Sequence, residues 1–446
     1  MRKHLTNAAY GVLDYASFPF GMLLVAPIVL HRLGASEYGL WMVATAVVSA
    51  GGIIASGFCD ANIQRVARLR GAGEMEAMVH TVRGILGINL VLGLALAVFS
   101  WAAAPYAAGH IAASCAVPLA ECLASLRIAG ALILVRAVET VGVSTQRAFE
   151  HYRTTVQIST AVRLLTLAAA AVLALSGRRT VSILAATGVF LVLGTFMQFR
   201  QLRRLLGTAR LWPAFEPEAT RALLRFGAFV WLQTLGGLIF AQFDRILLGI
   251  SMGALAVAPY SLCVQFAQPL AGLTASGLNF LFPYLSKRAG TMSNDALRRT
   301  LLKAFACNLA VVACGAAVLL LAGDRLMRIW AGAAVAQSAA KIFPSIVLGS
   351  ALIGISVTGV YALQALGLFR KLAFITLGSR AALLPLLIYL LHQKGLQGLA
   401  ISRVCLGSVA LLVYLPLWRF LAAGSRATHP VWSPAIPLAL QEGSKP

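Results

Sequence analysis

The chain is a succession of apolar runs, each long enough to cross a lipid bilayer. They fall near residues 9–30, 38–58, 83–103, 123–144, 156–176 and 181–199, and resume after a polar break near 227–250, 256–282, 304–322, 342–366, 371–391 and 396–418. A bilayer core takes about 20 helical residues, so these runs predict twelve spans joined by short loops. A soluble fold fails as an alternative. Charged residues make up only 11% of the 446, against about 25% in soluble domains, and the mean hydropathy is +0.83. So few charges cannot dress a surface that faces water, and apolar content this high also excludes a disordered chain. The expected fold class is an all-α polytopic membrane protein. Residues 1–7 precede the first run without an A-x-A cleavage site, which reads as an uncleaved first span.

The net charge of +23 does not point to a nucleic-acid partner. Its arginines and lysines sit in short clusters between apolar runs: Arg65, Arg68 and Arg70; Arg200, Arg203 and Arg204; Lys287, Arg288, Arg298 and Arg299. Anionic headgroups and the positive-inside rule account for that pattern. With both termini cytoplasmic, about 24 basic residues fall on that side and about 8 on the other. The longest opposite loops are residues 104–122 and 323–341. The seven cysteines (59, 115, 122, 263, 307, 314 and 405) lack metal-ligand spacing. Cys115 and Cys122 share one loop, where a disulfide could form. Neither a metal nor a cofactor is expected.

The second half of the chain repeats the first. The stretch from Tyr152, YRTTVQISTAVRLLTLAAAAVLALSG, is matched by the one from Phe369, FRKLAFITLGSRAALLPLLIYLLHQKG. At an offset of 217, Arg153 falls on Arg370, Ile158 on Ile375 and Arg163 on Arg380. QRAFEHYR from Gln146 matches QALGLFR from Gln364 with one residue dropped. Elsewhere Leu33-Gly34 pairs with Leu248-Gly249 at 215, and Tyr38 with Tyr260 at 222. Six spans separate the copies, so both halves enter the membrane from the same side, as parallel repeats do. The organisation this predicts is a six-helix lobe over 1–200, a cytoplasmic linker over 201–226, a second six-helix lobe over 227–420 and a disordered cytoplasmic tail over 421–446.

Catalytic motifs are missing from the sequence. It has no G-x-x-x-x-G-K-[ST], no H-E-x-x-H and no G-x-S-x-G, and its outer loops are too short to carry a catalytic domain, so an enzyme is not expected. What it carries is charge at membrane depth. A charge at a helix centre costs about 2.5–3.5 kcal/mol on insertion scales, so such residues face a bundle interior or a wet cavity. Arg163 and Arg380 lie near mid-span in the fifth and eleventh runs, and Arg403 lies in the twelfth. Arg136 and Glu139 stand i, i+3 in the fourth, close enough to neutralise each other. Asp244 and Arg245 are adjacent in the seventh, and Asp14 lies early in the first. Structural ion pairs or snorkelling side chains are the alternative for each. Five arginines against three acids make a net positive interior, which suits an anionic substrate, and Arg matches phosphate bidentately. Arg163, Arg380, Arg136, Arg245 and Arg403 are the candidate substrate-binding residues. Asp14, Asp244 and Glu139 could carry a coupling proton.

Several degenerate motifs occur in a familiar order. They are NAAYG from Asn7, PxxLxxLGxxxYGLW from Pro27 to Trp41, FDRILLG from Phe243 with Tyr260 beyond it, LFPYLS from Leu281, QALGLFR from Gln364 and GLQGLA from Gly395. Together they resemble the Wzx-type polysaccharide (O-antigen) flippases of the multidrug/oligosaccharidyl-lipid/polysaccharide (MOP) exporter superfamily, over about residues 7–420. The resemblance implies two six-helix lobes and alternating access. It also implies a polyprenyl-diphosphate-linked oligosaccharide moved from the cytoplasmic to the outer leaflet of a bacterial plasma (inner) membrane, for lipopolysaccharide, O-antigen or exopolysaccharide synthesis. Expected partners are that lipid-linked oligosaccharide, membrane lipid and other polysaccharide assembly proteins. A multidrug or cation antiporter shares the superfamily and is the rival expectation, with a membrane polysaccharide polymerase behind it.

Overall fold

The computed structural model describes residues 2–113, 117–149, 152–208, 211–214, 242–278, 281, 284–285 and 293–422. Regular structure among them is helical: α1 (Arg2–Ser56), α2 (Cys59–Ala72), α3 (Met75–Ala113), α4 (Leu119–Ala148), α5 (Tyr152–Leu175), α6 (Thr180–Leu206), α7 (Asp244–Leu278), α8 (Asn294–Ala331), α9 (Ala333–Ala340), α10 (Phe343–Ala365), α11 (Phe369–Ala410) and, after a short 3-10 turn, α12 (Tyr414–Ala422). The expected all-helical membrane architecture is present.

A continuous helix of the 55 residues in α1 would reach about 80 Å at 1.5 Å per residue, far beyond a hydrocarbon core of about 30 Å. It is broken at Gly34, whose φ of 85° and ψ of 169° kink the chain between two helical limbs. The left-handed half of the Ramachandran map is open to glycine because it has no Cβ. Helix α7 breaks the same way at Gly253, with φ 80° and ψ 170°. The structural partner of Leu33-Gly34 is therefore Met252-Gly253, at an offset of 219. This corrects the pairing with Leu248-Gly249: Gly249 is helical, and its face lies against Val43. A second pair follows at 218, with Gly177 (φ 71°) between α5 and α6 and Gly395 (φ 55°) inside α11.

Eight described helices are long and apolar enough to cross a membrane. α1, α7 and α11 each hold two limbs about such a glycine, which makes eleven limbs of the eight, and α4 supplies the twelfth. The predicted span at 227–250 lies largely outside the described residues. α4, predicted as a span at 123–144, is not among the eight. It packs against α1, α2, α3 and α6, and that shielding lets it carry Arg127, Arg136 and Glu139. α8 is the opposite case. Only 11% of its apolar window is buried, and Leu321 is 87% exposed, as lipid-facing side chains should be.

The described helices gather into two compact units, one of Met1–Gln265 with Gly323–Phe343 and Leu387–Leu399, the other of Phe266–Ala322, Pro344–Leu386 and Ala400–Pro446. In the first unit, α2 is a short surface helix. Val66 is buried against Met78, Val82, Ile85, Val141 and Leu202, while Arg65, Arg68 and Arg70 stay exposed. Part of the predicted linker is pinned there as well. Arg83 donates from Nε to the Trp212 carbonyl at 3.0 Å and accepts from the Ala214 N–H at 3.1 Å. In the second unit, Leu285, Leu297, Leu301, Leu363, Leu366 and Leu417 form an apolar cluster where α8, α10 and α12 meet. The predicted tail beyond Ala422 lies outside the described residues.

Candidate functional site

The first unit holds a buried polar cluster where the second limb of α1 meets α7. Glycine makes the approach possible. A Cβ on Gly39 would lie 1.8 Å from the Ala254 carbonyl oxygen, and one on Gly249 would lie 2.6 Å from Val43 Cγ2. Helices this close bring Tyr38 and Met42 of α1 against Gln265 of α7. Gln265 donates from Nε2 to the Tyr38 hydroxyl at 3.1 Å and to Met42 Sδ at 3.6 Å. Tyr38 and Tyr260 are fully buried, and Tyr260 donates its hydroxyl to Asp244 Oδ2. The other Asp244 oxygen accepts the backbone N–H of Arg245 at 2.7 Å. Asp244 is 1% exposed and Arg245 9%. Arg245 Nε, Gln265 Oε1 and Gln242 Oε1 are buried without a hydrogen-bond partner among the described residues. A buried polar atom without a partner costs about 1–3 kcal/mol, so this cluster favours a further polar contact.

The other predicted site residues fall as follows. Arg136 and Glu139 form an ion pair, Nη1 to Oε2 at 2.7 Å, with Glu139 buried. Arg163 is half-buried on α5, between lipid-exposed Leu164 and Leu165 and buried Val162. Arg380 is half-buried on α11. Arg403 is 9% exposed, and its backbone lies against Gly349 of α10. Asp14 belongs to α1, but its side chain lies outside the described ones. Arg163 belongs to the first unit, and Arg380 and Arg403 to the second. Of the eight predicted residues, the structure joins Asp244 to Arg245 and Arg136 to Glu139.

Sequence reasoning missed an arginine and a set of amides. Arg127 stacks on Trp101 at 4.4 Å from the ring centroid, and its Nε is buried without a hydrogen-bond partner among the described residues. Asn89 donates to the Ala137 carbonyl and to Thr140 Oγ1, each at 3.1 Å. In the second unit Asn308 donates to the Gly354 carbonyl at 3.0 Å and to Thr358 Oγ1 at 3.1 Å. The offsets are 219, 217 and 218, so one buried clasp occurs once in each repeat. Gln146 and Gln198 form another network across α4, α5 and α6. The available signal was an amide inside an apolar run, which pays for its place only when bonded.

Two contacts tie down helix ends in the first unit. Pro27 has no N–H to offer the Leu23 carbonyl one turn back, and Trp330 Nε1 donates to that oxygen instead, at 2.8 Å. His31 Nε2 in turn lies 3.1 Å from the Trp330 carbonyl. Glu37 receives the Thr180 hydroxyl at 2.6 Å and the Thr180 N–H at 3.2 Å, so a carboxylate of α1 caps the N-terminus of α6. Next to it, Arg179 is held by Glu121 at 2.7 Å, which raises the guanidinium above its ordinary range. No group of three metal-ligating side chains occurs among the described residues. Cys122 is buried, and Cys115 lies outside the described residues.

Comparison with known proteins agrees with this architecture. The family described as polysaccharide biosynthesis protein matches residues 29–340. No curated protein sequence matches the chain. Among solved structures, an inward-facing multidrug resistance MATE family transporter of the MOP superfamily superposes with a TM-score of 0.74 at 15% identity, covering 93% of this chain and 98% of that one. The lipid II flippase MurJ in an inward closed conformation gives 0.73 at 13% identity, covering 92% and 87%. A eukaryotic MATE transporter gives 0.62 at 16%, covering 95% and 98%.

Proposed function

The chain belongs to the polysaccharide biosynthesis protein family, and on that premise we propose that it is a flippase for an anionic polyprenyl-diphosphate-linked oligosaccharide. The single observation that carries this reading is a buried arginine, Arg245, whose Nε has no hydrogen-bond partner among the described residues. It sits in the buried polar cluster between α1 and α7, where the neighbouring Asp244 carboxylate is committed to Tyr260 and a backbone N–H. A cation with donor capacity to spare attracts phosphate. A carrier of organic cations would want open carboxylates.

The mechanism follows from the substrate's two ends. A sugar-diphosphate head is too polar to cross hydrocarbon, whereas the polyprenyl tail is at home there. The protein supplies the head with a cationic passage while the tail stays in lipid, and two lobes, 1–200 and 227–420, joined through 201–226, alternate access. Arg163 and Arg380 contact the diphosphate, one from each repeat, with Arg136, Arg245 and Arg403 extending the positive path. Asp14, Asp244 or Glu139 carries a coupling proton. Both termini are cytoplasmic in a bacterial inner membrane, and other polysaccharide assembly proteins supply and consume the cargo.

The test is deletion of the gene in its host. Surface polysaccharide should fall while lipid-linked repeat units remain on the inner face. Accumulation on the outer face would favour a polymerase, and unchanged polysaccharide with lost drug resistance would favour a multidrug antiporter.

A further inference from the structure

The second unit contains a cavity that none of the candidate transport residues lines. It has a volume of about 340 Å³ between the start of α8 and α12. Its walls are Leu301, Leu302 and Phe305 on one side and Leu417 and Leu421 on the other, with Arg298 and Trp418 at the mouth. Among the described lining residues two carry hydroxyls, Tyr414 and Thr358, and both are engaged. Tyr414 donates to the Ile355 carbonyl at 2.6 Å, and Thr358 accepts from Asn308 at 3.1 Å. An apolar cavity without free polar groups does not hold water well, so its natural occupant is hydrocarbon.

The mouth has the opposite chemistry. The Arg298 guanidinium lies over the Trp418 ring, 5.8 Å from its centroid, and Trp418 is 64% exposed. Arg299, Lys303 and Arg419 are exposed on the same two helices, with Asp295 the acidic residue in the first turn of α8. Tryptophan of this kind sits at headgroup depth, and arginine binds phosphate through two parallel N–H groups. Basic pockets between helix ends are a recurring way to hold anionic headgroups. Hydrocarbon below and phosphate above are the two halves of one lipid.

We propose that this pocket binds an anionic glycerophospholipid of the surrounding bilayer, one acyl chain between α8 and α12 and its phosphate on Arg298. The net charge of the mouth selects phosphatidylglycerol over phosphatidylcholine, since the choline cation of the latter meets the arginines.

The experiment uses the purified, delipidated full chain incubated with equimolar phosphatidylglycerol and phosphatidylcholine of identical acyl chains, with retained lipid read by native mass spectrometry. The wild-type protein should keep phosphatidylglycerol preferentially. Arg298→Gln should lower its retention about tenfold and leave phosphatidylcholine unchanged, while Arg298→Lys should lose less because the charge remains. Leu302→Trp, at an exposed lining position, should fill the cavity and reduce retention of both lipids. Thermal unfolding in lipid-free detergent checks that each variant is folded. Equal retention of both lipids by wild-type protein, or an unaltered preference in folded Arg298→Gln, overturns the proposal. So does displacement by an equimolar polyprenyl monophosphate, which would make the pocket a carrier site.

Discussion

Replacing Gly39 with alanine should separate α1 from α7, and the structure sets the size of the effect. The added Cβ would lie 1.8 Å from the Ala254 carbonyl oxygen and 2.6 Å from its carbon. Ordinary contact needs roughly 3.5 Å, so the limbs must part by about 1.7 Å. The obstacle is backbone in both directions, and no rotamer change relieves it. Overpacking costs about 1–3 kcal/mol, and this contact belongs at the upper end. Alanine returns up to about 1 kcal/mol in helix propensity, leaving a net loss of about 2 kcal/mol. The same displacement would stretch the 3.1 Å bond from Gln265 to Tyr38 beyond hydrogen-bonding range. Gly109→Ala is the control, since nothing lies within 4 Å of a Cβ there and propensity alone should stabilise α3. Thermal unfolding of the purified variants in detergent should therefore show opposite signs, with transport lost only in Gly39→Ala. A Gly39→Ala protein as stable as wild type would refute the close approach and the site built on it.

Asn308→Ala and Asn89→Ala should each destabilise by about 1–2 kcal/mol, since bonds between membrane helices average about 0.6 kcal/mol and these asparagines make at least two. In the cycle of Asn308→Ala with Thr358→Val, a zero coupling energy would deny the clasp. Trp330→Phe should remove the bond to the Leu23 carbonyl and lower the unfolding midpoint, whereas Trp330→Phe in a Pro27→Ala background should cost less, because α1 can then satisfy that carbonyl itself; equal losses would contradict the pairing. Reporter fusions at Lys3 and Arg426 should both read cytoplasmic, and an outside reading at either would break the repeat as well as the topology.

The fold class was legible because lipid leaves few options: runs of about 20 apolar residues have to be helices. The repeat was legible too, through Arg163 and Arg380, although its register at the first turn was not. Leu-Gly occurs at both Gly34 and Gly249, and only backbone geometry identifies Gly253 as the residue that breaks the helix. Sequence also flagged Tyr38, Gly39 and Tyr260 as motif letters without a reason for them. The reason is spatial: glycine admits the Ala254 carbonyl, and the tyrosines then bond to Gln265 and Asp244, more than 200 positions from Tyr38 in one case and 16 from Tyr260 in the other. Charge stood out against an apolar background, whereas Asn89, Gln146, Gln198 and Asn308 did not, because an isolated amide gives no periodic signal. Glu37 was invisible for a related reason, since its work is to cap a helix that starts at Thr180.

The central claim is that arginines inside the membrane carry a diphosphate head across it. Its most direct test reconstitutes the protein in liposomes with a fluorescent polyprenyl-diphosphate oligosaccharide and follows its exposure to a membrane-impermeant quencher. Wild-type protein should move the lipid. Arg163→Ala with Arg380→Ala should insert normally and move none, single lysine replacements should restore part of the rate through charge without bidentate geometry, and glutamate should be worse than alanine. Near-normal movement by the double alanine variant would contradict the assignment and leave the cationic path to Arg136, Arg245 and Arg403 alone.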